Sequence, residues 1–366
     1  MKGRGAFDFG FFITVMILLS FGLIMVFSAS SASAFYDYND SYFVIKKQLQ
    51  WAVVGLFAMF FMTNFHYKRL EKLAFPSLLV SIVLLIAVLF VGTEVNGAQR
   101  WLGIGGLSVQ PSEVAKFAVI VFFSASLAKK KDKIKKFTSG LLPYLMILGV
   151  IAVLVIIEPH LSGTVVIMLV GVLLLFVAGA RIFHFVLLSI PALAVLSYAI
   201  YDEPYRMSRV VSFLDPWKYK MNEGWQIIQS LYAIGSGGLF GLGLGRSRQK
   251  FLYIPEAHND FIFSILCEEL GFIGAATVLI LFVILIWRGI RIALSAPDAF
   301  GSFLATGIIS LIAVQVLINI AVVTSSMPVT GMPLPFFSAG GSSLVFIMAG
   351  MGIILNISRY SNNSRG

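Results

Sequence analysis

Charge and cysteine are both scarce in this chain. Asp, Glu, Lys and Arg make up 12% of its 366 residues, whereas hydrophobic residues make up 58%. Because about a quarter of an average soluble domain is charged, this balance excludes an ordinary soluble protein. The single cysteine, Cys267, excludes an internal disulfide. The four histidines never show i,i+4 spacing, so the sequence predicts no zinc site or other metal cluster.

Long apolar runs take the place of the missing charge. A bilayer core about 30 Å thick is crossed by about 20 helical residues, and runs of that kind recur along the chain. They lack the alternation of apolar and polar residues that a membrane β-barrel needs. The sequence therefore predicts an all-α integral membrane protein, with a single polytopic domain over residues 1–366. Ten transmembrane helices are predicted at about residues 8–30, 49–65, 75–92, 112–128, 141–157, 162–180, 183–201, 259–287, 303–324 and 340–357.

Lysine and arginine set the predicted orientation of these helices. Lys2 and Arg4 precede the first apolar run, which is too long for a typical signal peptide and is predicted to remain as a helix. One side of the membrane carries sixteen basic residues and the other carries ten, seven of them in a long loop at about 202–258. Both termini are therefore predicted to be cytoplasmic. The long loop, between helices 7 and 8, is predicted to be extracytoplasmic.

The net charge of +10 and the lysine run at 129–136 raise the question of nucleic acid as a partner. A basic run beside a membrane is also attracted to anionic lipid headgroups, by about 1 kcal/mol per residue. No nucleic-acid-binding motif accompanies the run. Membrane lipid is therefore the predicted partner, and nucleic acid is not.

Asp260 stands where a long polar interval ends and an apolar run begins. A charged side chain inside a bilayer costs about 2.5 to 3.5 kcal/mol, so such residues usually face a cavity and meet a substrate, ion or proton. Asp is also a common N-cap, which accepts hydrogen bonds from the first N–H groups of a helix. The sequence leaves both interpretations open. Glu268, further along the same helical face, is either a proton relay or a buried hydrogen-bond acceptor.

Two pairs of residues on the predicted outer side are spaced by one helical turn. Lys116 lies three residues after Glu113, so the pair forms a structural salt bridge, lines a wet cavity, or does both. Arg206 and Arg209 have the same spacing, which suits two guanidinium groups on one anion as well as two solvated side chains. Lys116, Arg206 and Arg209 are candidates for contact with an anionic substrate, and Glu113 is a candidate for the same cavity wall as Lys116.

A glycine-rich stretch at residues 235–245 precedes three cations, Arg246, Arg248 and Lys250. No predicted strand comes before it, so it is not a dinucleotide-binding motif. Backbone amides freed by glycine can line an anion pocket, and the cations would raise the local concentration of a phosphate-bearing lipid. Arg246 and Lys250 are therefore predicted to contact such a substrate.

Four groups of residues carry a family resemblance. They read Gly-Ala-Gln-Arg-Trp at 97–101, Gln-Pro-Ser-Glu at 110–113, His-Asn-Asp-Phe-Ile-Phe at 258–263 with Glu-Glu-Leu-Gly at 268–271, and Pro-Leu-Pro-Phe-Phe-Ser at 333–338 with Gly-Gly at 340–341. Together they resemble the SEDS family, and within it the FtsW branch and its sporulation member. The resemblance implies a peptidoglycan glycosyltransferase that polymerises lipid II on the outer face of the cytoplasmic membrane. It also implies a class B penicillin-binding protein and other division or sporulation membrane proteins as partners.

The resemblance also assigns roles to particular residues. Asp260 matches the essential aspartate of the family, and Arg100, Glu113 and Lys116 match the polar residues that line its central cavity. Many members carry a Pro-Asp-Leu-Gly type sequence after the fifth helix, whereas this chain has Glu-Pro-His-Leu-Ser-Gly-Thr at 158–164. The resemblance therefore gives no role to His160.

The predicted reaction is a single displacement in which Asp260 accepts the proton of the acceptor hydroxyl and cations stabilise the departing pyrophosphate. No tightly bound cofactor is expected, and a divalent cation, Mg²⁺ or Mn²⁺, is a candidate requirement. Two other functions stay open. A lipid II flippase would share the helices and the cationic cavity, although no repeated halves are detected. A non-catalytic division or sporulation scaffold would leave the buried charges unexplained.

Overall fold

Helices dominate the computed structural model, which describes residues 5–95, 98–104, 107–130, 133–221 and 224–361. Lys2, Arg4 and Gly97, used above for orientation and resemblance, lie outside the described residues. In chain order the helices are α1 (Phe9–Tyr38), α2 (Phe43–Asn64), α3 (Lys68–Lys72), α4 (Ala74–Val91), α5 (Pro111–Lys129), a π-helical turn (Phe137–Leu141), α6 (Leu142–Ile157), α7 (Leu161–Val177), α8 (Ile182–Tyr201), α9 (Pro204–Leu214), α10 (Gly224–Ser236), α11 (Ile262–Leu294), α12 (Ala299–Val323) and α13 (Gly341–Ser358).

Eight of the helical segments in the described ranges are long and apolar enough to cross a membrane. They are α1, α2, α4, α5, the π-helical turn with α6, α11, α12 and α13. The two shorter apolar helices, α7 and α8, occupy the other two predicted positions. The prediction of a multi-pass helical membrane protein is therefore confirmed, while the number of ten spans stays a prediction.

Three helices form the centre of the molecule. Most of the apolar stretch is buried in α5 (72%), α12 (67%) and α13 (72%). The buried share is only 22% in α2 and 28% in α4. The outer helices instead expose large apolar side chains such as Phe57 and Phe90, as lipid-facing positions do. A polar residue on a central helix is therefore surrounded by protein rather than by acyl chains.

The segment between α4 and α5 is a small sheet, which the all-α prediction missed. Strands β1 (Thr93–Val95), β2 (Ala98–Ile104) and β3 (Leu107–Val109) pair antiparallel in the order β1-β2-β3. Strands of three to seven residues are too short for a clear alternating pattern, which explains the miss. The sheet leads directly into α5 and places Arg100 of β2 beside the turn after α6.

Helix α11 is interrupted at Gly271, whose φ of 65° and ψ of −166° are not helical. The glycine-rich segment after α10 pairs with this break: the N–H of Leu242 donates to the carbonyl of Glu268 (3.0 Å), and the N–H of Phe272 donates to that of Gly238 (2.9 Å). A Cβ at position 271 would lie 2.4 Å from a backbone nitrogen of that segment, so only glycine fits. The first turns of α11 are thereby fixed separately from the rest of the helix.

Candidate active site

Asp260 lies in the turn before α11, because this helix begins at Ile262 rather than near the predicted residue 259. Phe261 occupies the N-cap position, and no side-chain cap hydrogen bond is made there. The N-cap interpretation of Asp260 is therefore wrong. The side chain is half-buried, and within the described ranges its carboxylate accepts no hydrogen bond. It is held in place yet available to a ligand.

The main chain around Asp260 is fixed by Asn319, a buried residue of α12. Its Nδ2 donates to the carbonyl of Asp260 (2.8 Å) and to that of Met332 (2.7 Å), which joins the turn to the proline-rich segment before α13. The hydroxyl of Ser338 donates to the carbonyl of Asn259 (2.6 Å) and strengthens the same junction. Sequence reasoning missed Asn319, although Gln315 and Asn319, two amides within an apolar helix, were an available signal.

Replacing Asn319 with leucine is expected to lower kcat by about ten- to a hundredfold, because a 1 Å misplacement of a reacting group can cost about 10²-fold. The matched control is Asn356→Leu. Asn356 bridges Thr63 and Tyr67 by the same kind of buried amide contacts (2.7 and 3.0 Å), away from Asp260. Each replacement should destabilise the fold, measured by thermal unfolding, but only Asn319→Leu should reduce kcat beyond that loss. An equal effect on kcat in both variants would contradict this role.

Two predicted cations lie within electrostatic range of Asp260. Burial, and to a lesser extent the negative charge of Glu256, raise the pKa of this carboxyl to about 6, against the opposing effects of Arg209 and Arg100. Arg209 is itself held by a hydrogen bond from Nη1 to the carbonyl of Val329 (3.0 Å). The positive charges of Arg100 and Arg209 therefore act on Asp260, and the same charges can attract an anionic group.

Arg100 connects this region to the turn after α6. Its Nε donates to the carbonyl of Glu158 (3.2 Å) and its Nη2 donates to that of Pro159. His160, in the same turn, lies with Nδ1 3.1 Å from the hydroxyl of Ser112 and 3.3 Å from the Gln110 amide nitrogen. Burial, with the nearby positive charges of Arg100 and Lys116, lowers the pKa of His160 to about 3, so this ring is neutral.

Glu113 and Lys116 form the ion pair that their spacing predicted. Lys116 Nζ lies 2.6 Å from Glu113 Oε1, and the two side chains are 3% and 4% exposed. Because α5 is a central helix, the pair is enclosed by protein and each charge depends on the other. The pair is therefore structural, and its contact with a substrate stays a prediction.

The remaining predicted cations are not gathered around Asp260 in the same way. Lys250 is 4% exposed in its side chain and binds Glu269 (3.1 Å) and the carbonyl of Gly245 (2.6 Å). This corrects the expectation for Lys250, because a buried, fully paired ammonium is not available to a substrate. Arg246 is exposed and Arg206 is half-buried on α9, and their contact with substrate stays a prediction.

Glu268 binds the same segment of the chain to which Lys250 belongs. Its carboxylate accepts hydrogen bonds from the hydroxyl of Ser247, from the N–H of Arg248 (3.0 Å) and from the N–H of Gln249 (3.3 Å). These contacts support the interpretation of a buried hydrogen-bond acceptor rather than a proton relay. Glu268 thus ties the segment that follows the glycine-rich stretch to the first turns of α11.

Fold and site together define a multi-pass membrane protein that holds an acid and two arginines where its buried central helices meet loop segments. The family model described as "Cell cycle protein", FTSW_RODA_SPOVE, matches residues 9–363. The chain belongs to this family, which confirms the resemblance found in its sequence.

Named relatives span nearly the whole chain. Stage V sporulation protein E of Bacillus subtilis is 48% identical over 351 residues, covering 95% of this chain and 96% of the relative. The probable peptidoglycan glycosyltransferase FtsW of Geobacter sp. (strain M18) is 40% identical over 360 residues, covering 98% of both. These names agree with the FtsW branch and the sporulation member indicated by the sequence.

Solved structures share the fold. One is described as "Structural coordination of polymerization and crosslinking by a peptidoglycan synthase complex" and matches with a TM-score of 0.81 and 30% identity, covering 98% of this chain and 99% of that one. The rod shape determining protein RodA of Thermus thermophilus matches with a TM-score of 0.73 and 27% identity, covering 98% of both. The helical arrangement described above is therefore the arrangement of this family.

Proposed function

We propose that this chain is a peptidoglycan glycosyltransferase that polymerises lipid II into glycan strands. The observation that carries the proposal is the Asp260 carboxylate, half-buried, without a hydrogen-bond partner in the described ranges, and within electrostatic range of Arg100 and Arg209. A base beside cations suits a hydroxyl acceptor and an anionic leaving group. The names of the FtsW relatives support the same activity.

The proposed reaction is a single displacement. Asp260 accepts the proton of the acceptor sugar hydroxyl while that oxygen forms a bond to the anomeric carbon of the donor. The bond from this carbon to the pyrophosphate oxygen breaks, and undecaprenyl pyrophosphate leaves with the electron pair. Arg100 and Arg209 stabilise the charge that develops on the pyrophosphate. A single attack from the opposite side inverts the anomeric centre.

The pKa of Asp260 predicts how the rate depends on pH. A base must be ionised, and burial raises the pKa of this carboxyl to about 6, so kcat/KM should fall as the pH drops through about 6. Glu256 raises that pKa, so Glu256→Gln should move this fall in kcat/KM to lower pH. Replacing Glu203, which is exposed, with glutamine should not move it. If Glu256→Gln left the pH of this fall unchanged, the result would count against Asp260 as the group that titrates.

A divalent cation, Mg²⁺ or Mn²⁺, is a candidate requirement of the reaction. Among the described residues, no three His, Cys, Asp or Glu side chains lie close enough to hold a metal ion together. We propose that Mg²⁺ or Mn²⁺ is instead carried by the substrate pyrophosphate. Chelation with EDTA should slow polymerisation and leave the unfolding temperature unchanged. A lowered unfolding temperature would indicate a resident ion.

The proposed setting follows the charge distribution of the sequence. Ten helices span the cytoplasmic membrane with both termini in the cytoplasm, so the site with Asp260 faces the outside. A class B penicillin-binding protein would crosslink the strands, as the solved complex of polymerisation and crosslinking suggests. Other division or sporulation membrane proteins would localise the pair, in line with the sporulation relative.

An assay with purified protein and lipid II tests the proposal directly. Glycan strands should form, and a transpeptidase partner should raise their yield. Movement of lipid II across a liposome bilayer without strand formation would support the flippase alternative. Neither strands nor movement, with or without the partner, would support the scaffold alternative.

A further inference from the structure

Glu158 is a carboxylic acid that the proposed reaction does not use. It follows α6 directly, is 1% exposed, and neither carboxylate oxygen has a hydrogen-bond partner among the described residues. An ionised carboxylate in such a position would be strongly destabilising, whereas the neutral acid is tolerated far better. Burial accordingly raises the pKa of Glu158 to about 8, against an opposing effect of Arg100.

Arg100 connects Glu158 to the candidate active site. Its guanidinium donates to the main-chain carbonyls of Glu158 and Pro159. The same positive charge acts on the carboxyl groups of both Glu158 and Asp260. One arginine therefore has two acids in its electrostatic range, of which one is half-buried and open to a ligand and the other is enclosed.

The other charged groups described around this turn add little net charge near Glu158. His160 of the same turn is neutral, and Glu113 and Lys116 on α5 form a closed ion pair. Among the described residues, Arg100 is the charged group whose charge acts on the Glu158 carboxyl. If Glu158 were ionised, its negative charge would neutralise the field of Arg100 in a region of low dielectric, where such effects are large.

We propose that Glu158 is a positioning residue that acts as a neutral acid: its main chain holds Arg100, and its protonated carboxyl leaves the Arg100 charge for the pyrophosphate of the substrate. The inference rests on the proposed function and deepens it. It explains how the turn can place an acid beside a substrate-binding cation without cancelling that cation. Ionisation of Glu158 at alkaline pH then weakens substrate binding.

Binding measurements in an Asp260→Asn background test the inference, because this background removes turnover. Lipid II affinity with Glu158 present should fall at least about fivefold between pH 7 and pH 9. Adding Glu158→Gln, which is neutral at every pH, should abolish most of that fall. Adding Glu158→Asp, which retains an acid, should preserve a fall. An equal decline with Glu158 and with Glu158→Gln, or no decline with Glu158, would overturn the inference.

Infrared spectroscopy gives a readout that does not depend on lipid II. The protein should show a protonated-carboxyl band that is lost above about pH 8 and is missing in Glu158→Gln. Lack of that band at pH 7 would overturn the inference and leave the proposed function standing. A normal band with no lipid II binding in any variant would overturn both, since the inference rests on that substrate.

Discussion

Replacing Asp260 with asparagine is expected to abolish lipid II polymerisation while the protein stays folded in the membrane. The amide keeps the shape of the side chain but cannot accept the proton of the acceptor hydroxyl. General bases contribute about 10²- to 10⁴-fold to a rate, and a loss in that range is expected here. The carboxylate accepts no hydrogen bond within the described ranges, so the exchange should cost little stability.

Asp215→Asn is the matched control for this experiment. Asp215 is an exposed acid in the long loop and accepts a hydrogen bond from the N–H of Lys218 (3.2 Å). Its replacement removes the same charge without touching Asp260, so the polymerisation rate should change little. Near-normal rates in Asp260→Asn, with a melting curve like that of the unmodified protein, would remove Asp260 from the reaction.

Replacing Lys116 with methionine should produce the largest loss of stability. It leaves the Glu113 carboxylate buried without its partner, and breaking a buried ion pair in this way costs about 3–5 kcal/mol. Cys267 is buried and is the chain's single cysteine, so its reaction with a fluorescent maleimide reports unfolding on heating. A sharply lower unfolding temperature is expected for Lys116→Met.

Two further variants separate a structural role of the Glu113–Lys116 pair from a role in substrate binding. One is a control at an exposed ion pair, and the other is a double variant. Lys46→Met breaks an exposed pair with Asp40 (2.8 Å, side chains 65% and 35% exposed), and should cost less than about 1 kcal/mol. The double variant Glu113→Gln/Lys116→Met removes both charges and should recover much of the stability. If the pair also lines the substrate cavity, the double variant should fold but bind lipid II weakly. Normal binding would leave the pair a purely structural role.

Local sequence signals predicted the membrane helices well, because an apolar run of sufficient length has few other structures available to it. The spacing of Glu113 and Lys116 likewise fixed their contact, since i,i+3 neighbours share a helical face. These features depend on residues close together in the chain.

Contacts between distant segments were not predictable in this way. Lys250 reads as one cation in a basic cluster, yet it pairs with Glu269 because the glycine-rich segment inserts at the break of α11. Asn319 donates a hydrogen bond to the carbonyl of Asp260, which lies 59 positions earlier in the sequence. The neutral Glu158 and its link to Arg100 depend on a short sheet whose strands carry little periodic signal. A single sequence contains no direct record of such pairings.

The anomeric configuration of the linkage formed by the purified protein tests the central claim most directly. A single displacement at the donor, with Asp260 as the base, predicts a configuration opposite to that of the donor pyrophosphate linkage, readable by nuclear magnetic resonance of the isolated strands. Retention of the donor configuration would require a covalent glycosyl intermediate or attack from the same face as the leaving group, and would contradict the mechanism proposed here.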